Sequence, residues 1–307
     1  MLPSLTVIIC TYNRAFIIGE CLESLVRQTT ALETFEILLV DNNSNDETQK
    51  VAASYVHKLP NLKIAEELQQ GLSHARNRGV AEAQTEWIAF LDDDAKARPD
   101  WVETILATIA KDDFDAFGGP YYAWHRSGPP PAWLPDDFGT YRGLAQYGPL
   151  KNAYIPGGNC AFKKAAAVEA GNFPTEAGMA GKKCAYGEET LFFNRMESLG
   201  YRLGFVPDMA IDHCVLPYKY TIRWQLRSAL ARGKSWQMVA DPNAPLSQIP
   251  SLICPLVASL LKFPLKFIYK MWKNKGRYWQ KHAIDCVYPI FHALGKISVI
   301  LRKNNDS

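Results

Sequence analysis

Apolar runs and helical spacing alternate along the first hundred residues. Continuous, β-rich runs at residues 6–10, 35–40 and 87–91, with a weaker one near 62–64, predict strands. Runs without polar alternation fit strands covered on both faces, as in a parallel sheet. Between them, Phe16, Ile17, Cys21, Leu22, Leu25 and Val26 follow helical spacing, as do Val51, Tyr55 and Val56. A third such set is Trp101, Val102, Ile105, Leu106 and Ile109. Asp46 and Ser73 are candidate helix caps, and Pro99 suits a first helical turn. Repeated strand–helix–strand units predict a right-handed, doubly wound α/β sheet. Ligands of such sheets bind beyond the carboxyl ends of the strands.

The texture changes from Gly118 to about Pro156, where prolines sit among Tyr121, Tyr122, Trp124, Trp133, Phe138 and Tyr141. No periodicity survives there, so the expectation is an ordered aromatic loop or flap. The part from Trp124 to Trp133 could stack on a sugar face or form a local mini-core. Pattern returns at 157–162, followed by helices from about Lys164 and over 188–199. Short strands are expected near 202–206 and 210–215, then a basic helix over 222–238.

The C-terminal stretches 249–269 and 283–301 are apolar but interrupted. The first carries Pro250, Pro255, Lys262, Pro264 and Lys266; the second carries Asp285, His292 and Lys296. A spanning helix needs about twenty predominantly apolar residues, and buried charge there is costly. Lysines at helical spacing beside Leu265, Ile268 and Trp272 point to a helix lying in a membrane interface. A packed terminal pair of helices and a true span are the alternatives.

With 48% hydrophobic and 21% charged residues in 307, the composition is that of a folded chain with a substantial core. A formal charge of +3 does not point to nucleic acid. The basic residues concentrate from Tyr218 onward, which points to an anionic surface. The 7 cysteines are odd in number and none form C-x-x-C, which fits a reducing cytoplasm and no zinc site. No secretory signal is read at the N-terminus. The expected location is the cytoplasm, at the cytoplasmic face of a membrane.

The candidate chemistry lies at strand ends. Thr11-Tyr12-Asn13-Arg14 follows the first strand, Asp41-Asn42-Asn43-Ser44 the second, and Asp92-Asp93-Asp94 the run ending Phe90-Leu91. Alternate strand residues share a face, so Asp92 and Asp94 point the same way. Adjacent carboxylates repel unless a cation or solvent relieves them. Mg2+ and Mn2+ take such oxygen ligands together with phosphates. A solvated acidic turn is the bland alternative. Glu188-Glu189 opens a helix after Gly187, and Arg76 sits early in another helix.

These pieces, in order and at compatible spacing, resemble glycosyltransferase family 2. They are residues 7–14, 39–48, 71–77, 90–94 and 187–189, within a match running over about 4–215. The resemblance implies a GT-A type, Rossmann-like sheet, here with a C-terminal helical extension. It implies a metal-dependent, inverting transfer of a sugar from a nucleotide-sugar, with a UDP-sugar expected, in polysaccharide or glycolipid biosynthesis. Asp41 would accept from the uracil, and Thr11, Tyr12, Asn13 and Arg14 would line the base and ribose pocket, with Arg76 near the nucleotide or its phosphate. Asp92 and Asp94 occupy the family's D-x-D positions and would contact ribose and Mn2+ or Mg2+, with Asp93 as spacer within the donor site. His213 would be a further metal ligand or a structural histidine. Gly157, Gly158 and Asn159 resemble a small-residue stretch near the donor sugar or acceptor, or make a tight turn.

The base that deprotonates the acceptor would come from Glu188-Glu189, where the family usually has Glu-Asp. Glu189 falls at the Asp position and shares a helical face with Phe192, Met196 and Leu199, so it is expected to point inward; Glu188 is the rival. A glycan or lipid-linked acceptor is expected, and no nucleic acid. Processive polymer synthases of the family carry Gln-x-x-Arg-Trp and several spans, which are missing from this sequence, so single-sugar addition is expected. A nucleotidyltransferase acting on sugar phosphates would need a glycine-rich basic loop after the first strand. A non-catalytic glycan-binding module would not need the acidic groups. The expected domains are 1–217, with a nucleotide-sugar half at 1–95 and an acceptor half at 96–217, and a basic amphipathic helical region at 218–307.

Overall fold

Strands form where the apolar runs predict them. β1 (Leu5–Thr11), α1 (Ile18–Val26), β2 (Phe35–Asp41), α2 (Thr48–Ala53), β3 (Leu62–Glu66), α3 (Leu72–Glu82) and β4 (Trp87–Leu91) alternate along the chain. They are followed by β5 (Ala95–Ala97), α4 (Trp101–Lys111), β6 (Ala116–Gly118), β7 (Tyr121–Trp124), β8 (Gly148–Pro149) and β9 (Asn159–Lys163). Then come α5 (Lys164–Glu169), α6 (Glu188–Ser198), β10 (Leu203–Phe205), β11 (Ile211–Cys214), α7 (Ile222–Ala240), α8 (Ile249–Lys273) and α9 (Trp279–Asn305). The computed structural model describes residues 4–150, 154–176, 178–179, 185–273 and 278–305.

The chain forms two compact units, Met1–Trp124 with Gly139–Gly181 and Glu188–Cys214, and His125–Phe138 with Lys182–Gly187 and Val215–Ser307. In the first unit an eight-stranded sheet has the order β3-β2-β1-β4-β9-β6-β10-β8. The pairs β3/β2, β2/β1, β1/β4 and β6/β10 are parallel. β9 runs antiparallel to both β4 and β6. The sheet is therefore mixed around a parallel first half. Period-two alternation sorts the strand side chains between two cores. Leu5, Val7 and Ile9 face α1, α2 and α4, where Leu22, Ala52 and Trp101 are buried. Ile8, Leu38 and Val40 face α3, α5 and α6, where Val80, Ala166 and Phe192 are buried. Each large side chain of this kind contributes roughly 1.5–3 kcal/mol on burial.

Two expected caps differ in detail. Asp46 does accept the Thr48 N–H at 3.0 Å, but the residue flanking α2 is Glu47. Ser73 lies inside the first turn of α3, whose N-cap is Gly71 at φ 147°, backbone that only glycine adopts without strain. The described part of the aromatic stretch holds β7 and β8, with Tyr121 and Tyr141 joined by an antiparallel bridge.

In the second unit α7 and α9 pack through glycines. A Cβ on Gly233 would lie 2.0 Å from the His292 carbonyl, and one on Gly295 2.2 Å from the Leu230 carbonyl. Phe138 packs edge-on against Tyr220, whose hydroxyl lies 2.8 Å from His125 Nδ1, a local mini-core within this unit. Helices spanning Leu246–Lys273 and Trp279–Lys303 are long and apolar enough to cross a membrane, with mean hydropathy 1.6 and 1.5. None of the apolar window of the first is buried.

Candidate active site

β1, β2 and β4 are parallel neighbours, so their carboxyl ends emerge on one edge, with Thr11 opposite Asp41. The loops that follow bend through Asn13 and Asn43 at φ 53° and 61°, where asparagine is tolerated. They are stitched together. The Asn13 N–H donates to Ser44 Oγ at 2.9 Å, the Asn45 N–H to Asn13 Oδ1 at 2.9 Å, and the Arg14 N–H to Thr48 Oγ1 at 2.7 Å. Tyr12 is half-buried in the same turn. Asp41 is fully buried and accepts from the Ser44 N–H at 3.1 Å, from Gln49 Nε2 at 2.8 Å and from the Ser44 hydroxyl. A carboxylate has about four lone-pair sites, so Asp41 keeps room for one more donor.

The acidic run lies in the turn between β4 and β5, not on the strand itself. Asp93 turns to Arg14, whose Nε lies 3.3 Å from its carboxylate and whose Nη2 lies 3.9 Å from Asp94. Asp92 and Asp94 turn to His213, whose Nε2 lies 3.6 Å and 3.2 Å from their oxygens. The histidine arrives because β5 follows the acidic run at once and pairs antiparallel with β11, setting His213 across from Ala95. The Cys214 N–H fixes the same corner by donating to the Asp94 carbonyl at 2.8 Å. One ligand atom from each of Asp92, Asp94 and His213 fall within 4.8 Å of one another.

The electrostatics fit a cation. Burial raises the Asp92 carboxyl above its ordinary value, His213 opposes this, and the charge of Asp94 adds to it. Burial pushes Asp93 up to about 7 against the pull of Arg14. Two carboxylates and one imidazole converging at this edge are a donor set suited to Mn2+ or Mg2+.

The second half of the site is built on Arg76. It is 4% exposed, on the second turn of α3, with its guanidinium 5.2 Å from the Phe173 ring and 5.9 Å from the Phe90 ring. Its Nη1 donates to Glu188 Oε1 at 3.0 Å and lies 4.0 Å from Glu189. Burial acts to lower the Arg76 pKa, but Glu188, Glu189 and Asp92 hold it above its usual value. Burial and the neighbouring Glu189 charge push Glu188 up to about 8.

The inward stripe of α6 runs through Glu188, Phe192 and Met196, while Leu199 is 49% exposed. This corrects the helical-face expectation: the residue turned fully inward is Glu188. Glu189 remains partly exposed, and the Tyr154 hydroxyl donates to its Oε1 at 3.0 Å.

Gly157 and Gly158 sit against the site's own side chains. A Cβ on Gly157 would lie 2.7 Å from Arg76 Nη2, and one on Gly158 1.9 Å from the Asp92 carboxylate. Their lack of side chains leaves space for Arg76 and Asp92 to turn in. Asn159 is fully buried; its amide donates to the carbonyls of Pro120 and Met209 and accepts from the Trp101 indole at 2.8 Å. Its side chain therefore ties β9 to α4 and the loops behind the site. The sequence pattern does not single out Tyr154 or Phe173. Tyr154 stands three residues before Gly157, the one local hint that it would reach the site.

Comparison with known proteins gives the family and the fold. The sequence profile described as "Glycosyl transferase family 2" matches residues 6–170. Glycosyltransferase AglE of Haloferax volcanii is 28% identical over 238 residues, covering 77% of this chain and 75% of that protein. The glucosyl-dolichyl phosphate glucuronosyltransferase of the same organism is 26% identical over 243 residues, covering 75% of each chain. Among solved structures, the mannosyltransferase PcManGT from Pyrobaculum calidifontis, in complex with GDP-Man and Mn2+, has a TM-score of 0.65 at 19% identity. That likeness covers 97% of this chain and 88% of the other, and shows a shared GT-A-type fold.

Proposed function

The chain belongs to glycosyltransferase family 2, and we propose that it transfers a single sugar, with inversion, from a UDP-sugar to a hydroxyl of a glycan or lipid-linked acceptor. The observation that carries this is the convergence of Asp92, Asp94 and His213 on one strand-end edge, in the same unit as Arg76 and Glu189. Asp41 keeps acceptor capacity for the uracil N–H, in a rim formed with Thr11, Tyr12, Asn13 and Arg14. Asp92 and Asp94, as a D-x-D pair, with His213 would hold Mn2+ or Mg2+, which supplies Lewis-acid neutralisation of the departing diphosphate. Glu189 takes the proton from the acceptor hydroxyl as its oxygen attacks the anomeric carbon and the bond to the diphosphate oxygen breaks. Arg76 holds the glutamate pair in place and stays charged.

Calorimetry with UDP-, GDP- and dTDP-sugars in the presence of Mn2+ tests the donor. Uridine-linked donors are expected to bind at least tenfold more tightly, about 1.4 kcal/mol. Equal binding of GDP-sugars would remove the uracil role from Asp41.

A lipid-linked acceptor and peripheral contact with the membrane go together. One relative is named for action on a glucosyl-dolichyl phosphate, and α8 exposes Leu261, Leu265, Ile268 and Trp272. Lys262, Lys266, Lys270 and Lys273 recur on the same helix, as expected for a helix lying in the interface of the cytoplasmic face. The full chain is expected to co-sediment with anionic vesicles and to be partly released by salt. A chain that stays wholly in solution without detergent and ignores such vesicles would sink the interfacial placement.

A further inference from the structure

We propose that Tyr154 is a positioning residue for the base, resting on the assignment of that role to Glu189. The phenol donates to Glu189 Oε1 at 3.0 Å, opposite the side on which Arg76 Nη1 approaches Oε2 at 4.0 Å. Glu189 is thus gripped on both oxygens by groups from different parts of the fold, one from α3 and one from the segment before β9. A long side chain needs such restraint: each free rotor of a glutamate costs entropy when it must sit in one reactive geometry.

Tyr154 is itself held. The Tyr141 hydroxyl donates to the Tyr154 carbonyl at 2.7 Å, and the two rings meet edge-on at 5.3 Å. Tyr141 is in turn fixed to Tyr121 by backbone bonds of 3.0 and 2.8 Å and by stacked rings 5.5 Å apart. The Tyr121 ring then lies 5.5 Å from the imidazole of His213. A row of tyrosines therefore links the histidine of the acidic corner to the base. It gives the aromatic stretch a task that its irregular sequence pattern conceals: it sets the distance between the two halves of the site. The Tyr154 phenol keeps its proton, since burial and the Glu189 charge hold it well above its ordinary value.

Tyr154→Phe keeps the ring and removes only the donor. kcat is expected to fall roughly tenfold to a hundredfold, as for loss of a bond to a charged group, with donor KM within about twofold. Tyr141→Phe is expected to lower kcat by less, again with donor KM little changed, and supplies the reading should the first variant fold poorly. Wild-type kcat in both variants, or a loss carried by donor KM and not by kcat, with Glu189→Gln inactive, would overturn the positioning role while leaving the base in place. Full activity of Glu189→Gln would instead overturn the base assignment, and the positioning role with it.

Discussion

Asp94→Ala is expected to lower turnover about a thousandfold and to abolish tight Mn2+ binding by the free chain. Asp94 is 6% exposed, and its Oδ1 lies 3.2 Å from His213 Nε2 in the three-residue donor cluster. Without it two donors remain, and charge that develops on the diphosphate loses about 4 kcal/mol of stabilisation, which is the thousandfold. The fold is expected to survive. Three adjacent carboxylates repel one another, and burial already pushes Asp93 up to about 7. Removing one relieves that repulsion, so melting without metal is not expected to fall by more than a few degrees. Titration of Mn2+ by electron paramagnetic resonance reads the site independently of catalysis. Wild-type Mn2+ affinity in the variant would take Asp94 out of the ligand set. His213→Ala offers a milder comparison, since it removes the imidazole and spares both carboxylates.

Glu189→Gln is expected to lower transfer by 10² to 10⁴, about the contribution of a general base, with donor affinity unchanged. Glu188→Gln is expected to do less, through its contact with Arg76. The two glutamates stand in different environments. Glu188 is 3% exposed and its carboxylate is bonded to the Arg76 guanidinium at 3.0 Å, which leaves it little reach to an acceptor hydroxyl. Glu189 keeps part of its carboxylate open to the site, within reach of Tyr154. Replacing a buried, paired glutamate disturbs its partner, so Glu188→Gln is expected to show in thermal stability as well as rate. Glu189→Gln is expected to show in rate alone. If Glu188→Gln abolishes transfer while Glu189→Gln retains it, the base lies one residue earlier.

How far the sequence carried these two assignments differs between them. The acidic corner was legible because β4 is a run of five buried apolar residues that stops abruptly at three aspartates. Strand alternation predicted that Asp92 and Asp94 would share a face; the structure does bring both to His213, but from a turn, and Arg14 reaches Asp94 as well as Asp93. The glutamate pair was legible as chemistry but not as geometry. Helical phase beside Phe192, Met196 and Leu199 pointed Glu189 inward, yet Glu188 shares the buried stripe with Phe192 and Met196. At a helix's first turn the neighbours are set by the chain across the site, here Arg76, and not by the helix's own period.

The sequence by itself determined the strands and their polar ends, the family, the carboxylates that stand ready for a cation, and the basic apolar C-terminal helices. All of these are local: they follow from periodicity, charge and the order of short motifs. Tertiary structure alone decided that β9 inserts antiparallel between β4 and β6, and that β11 brings His213 to the acidic corner. It also decided that Gly157 and Gly158 make space for Arg76 and Asp92, and that Tyr121, Tyr141 and Tyr154 span the site. The physical reason is the same in each case. A hydrogen bond or a close approach between residues dozens of positions apart leaves no period in the chain, because either partner alone is compatible with many neighbours.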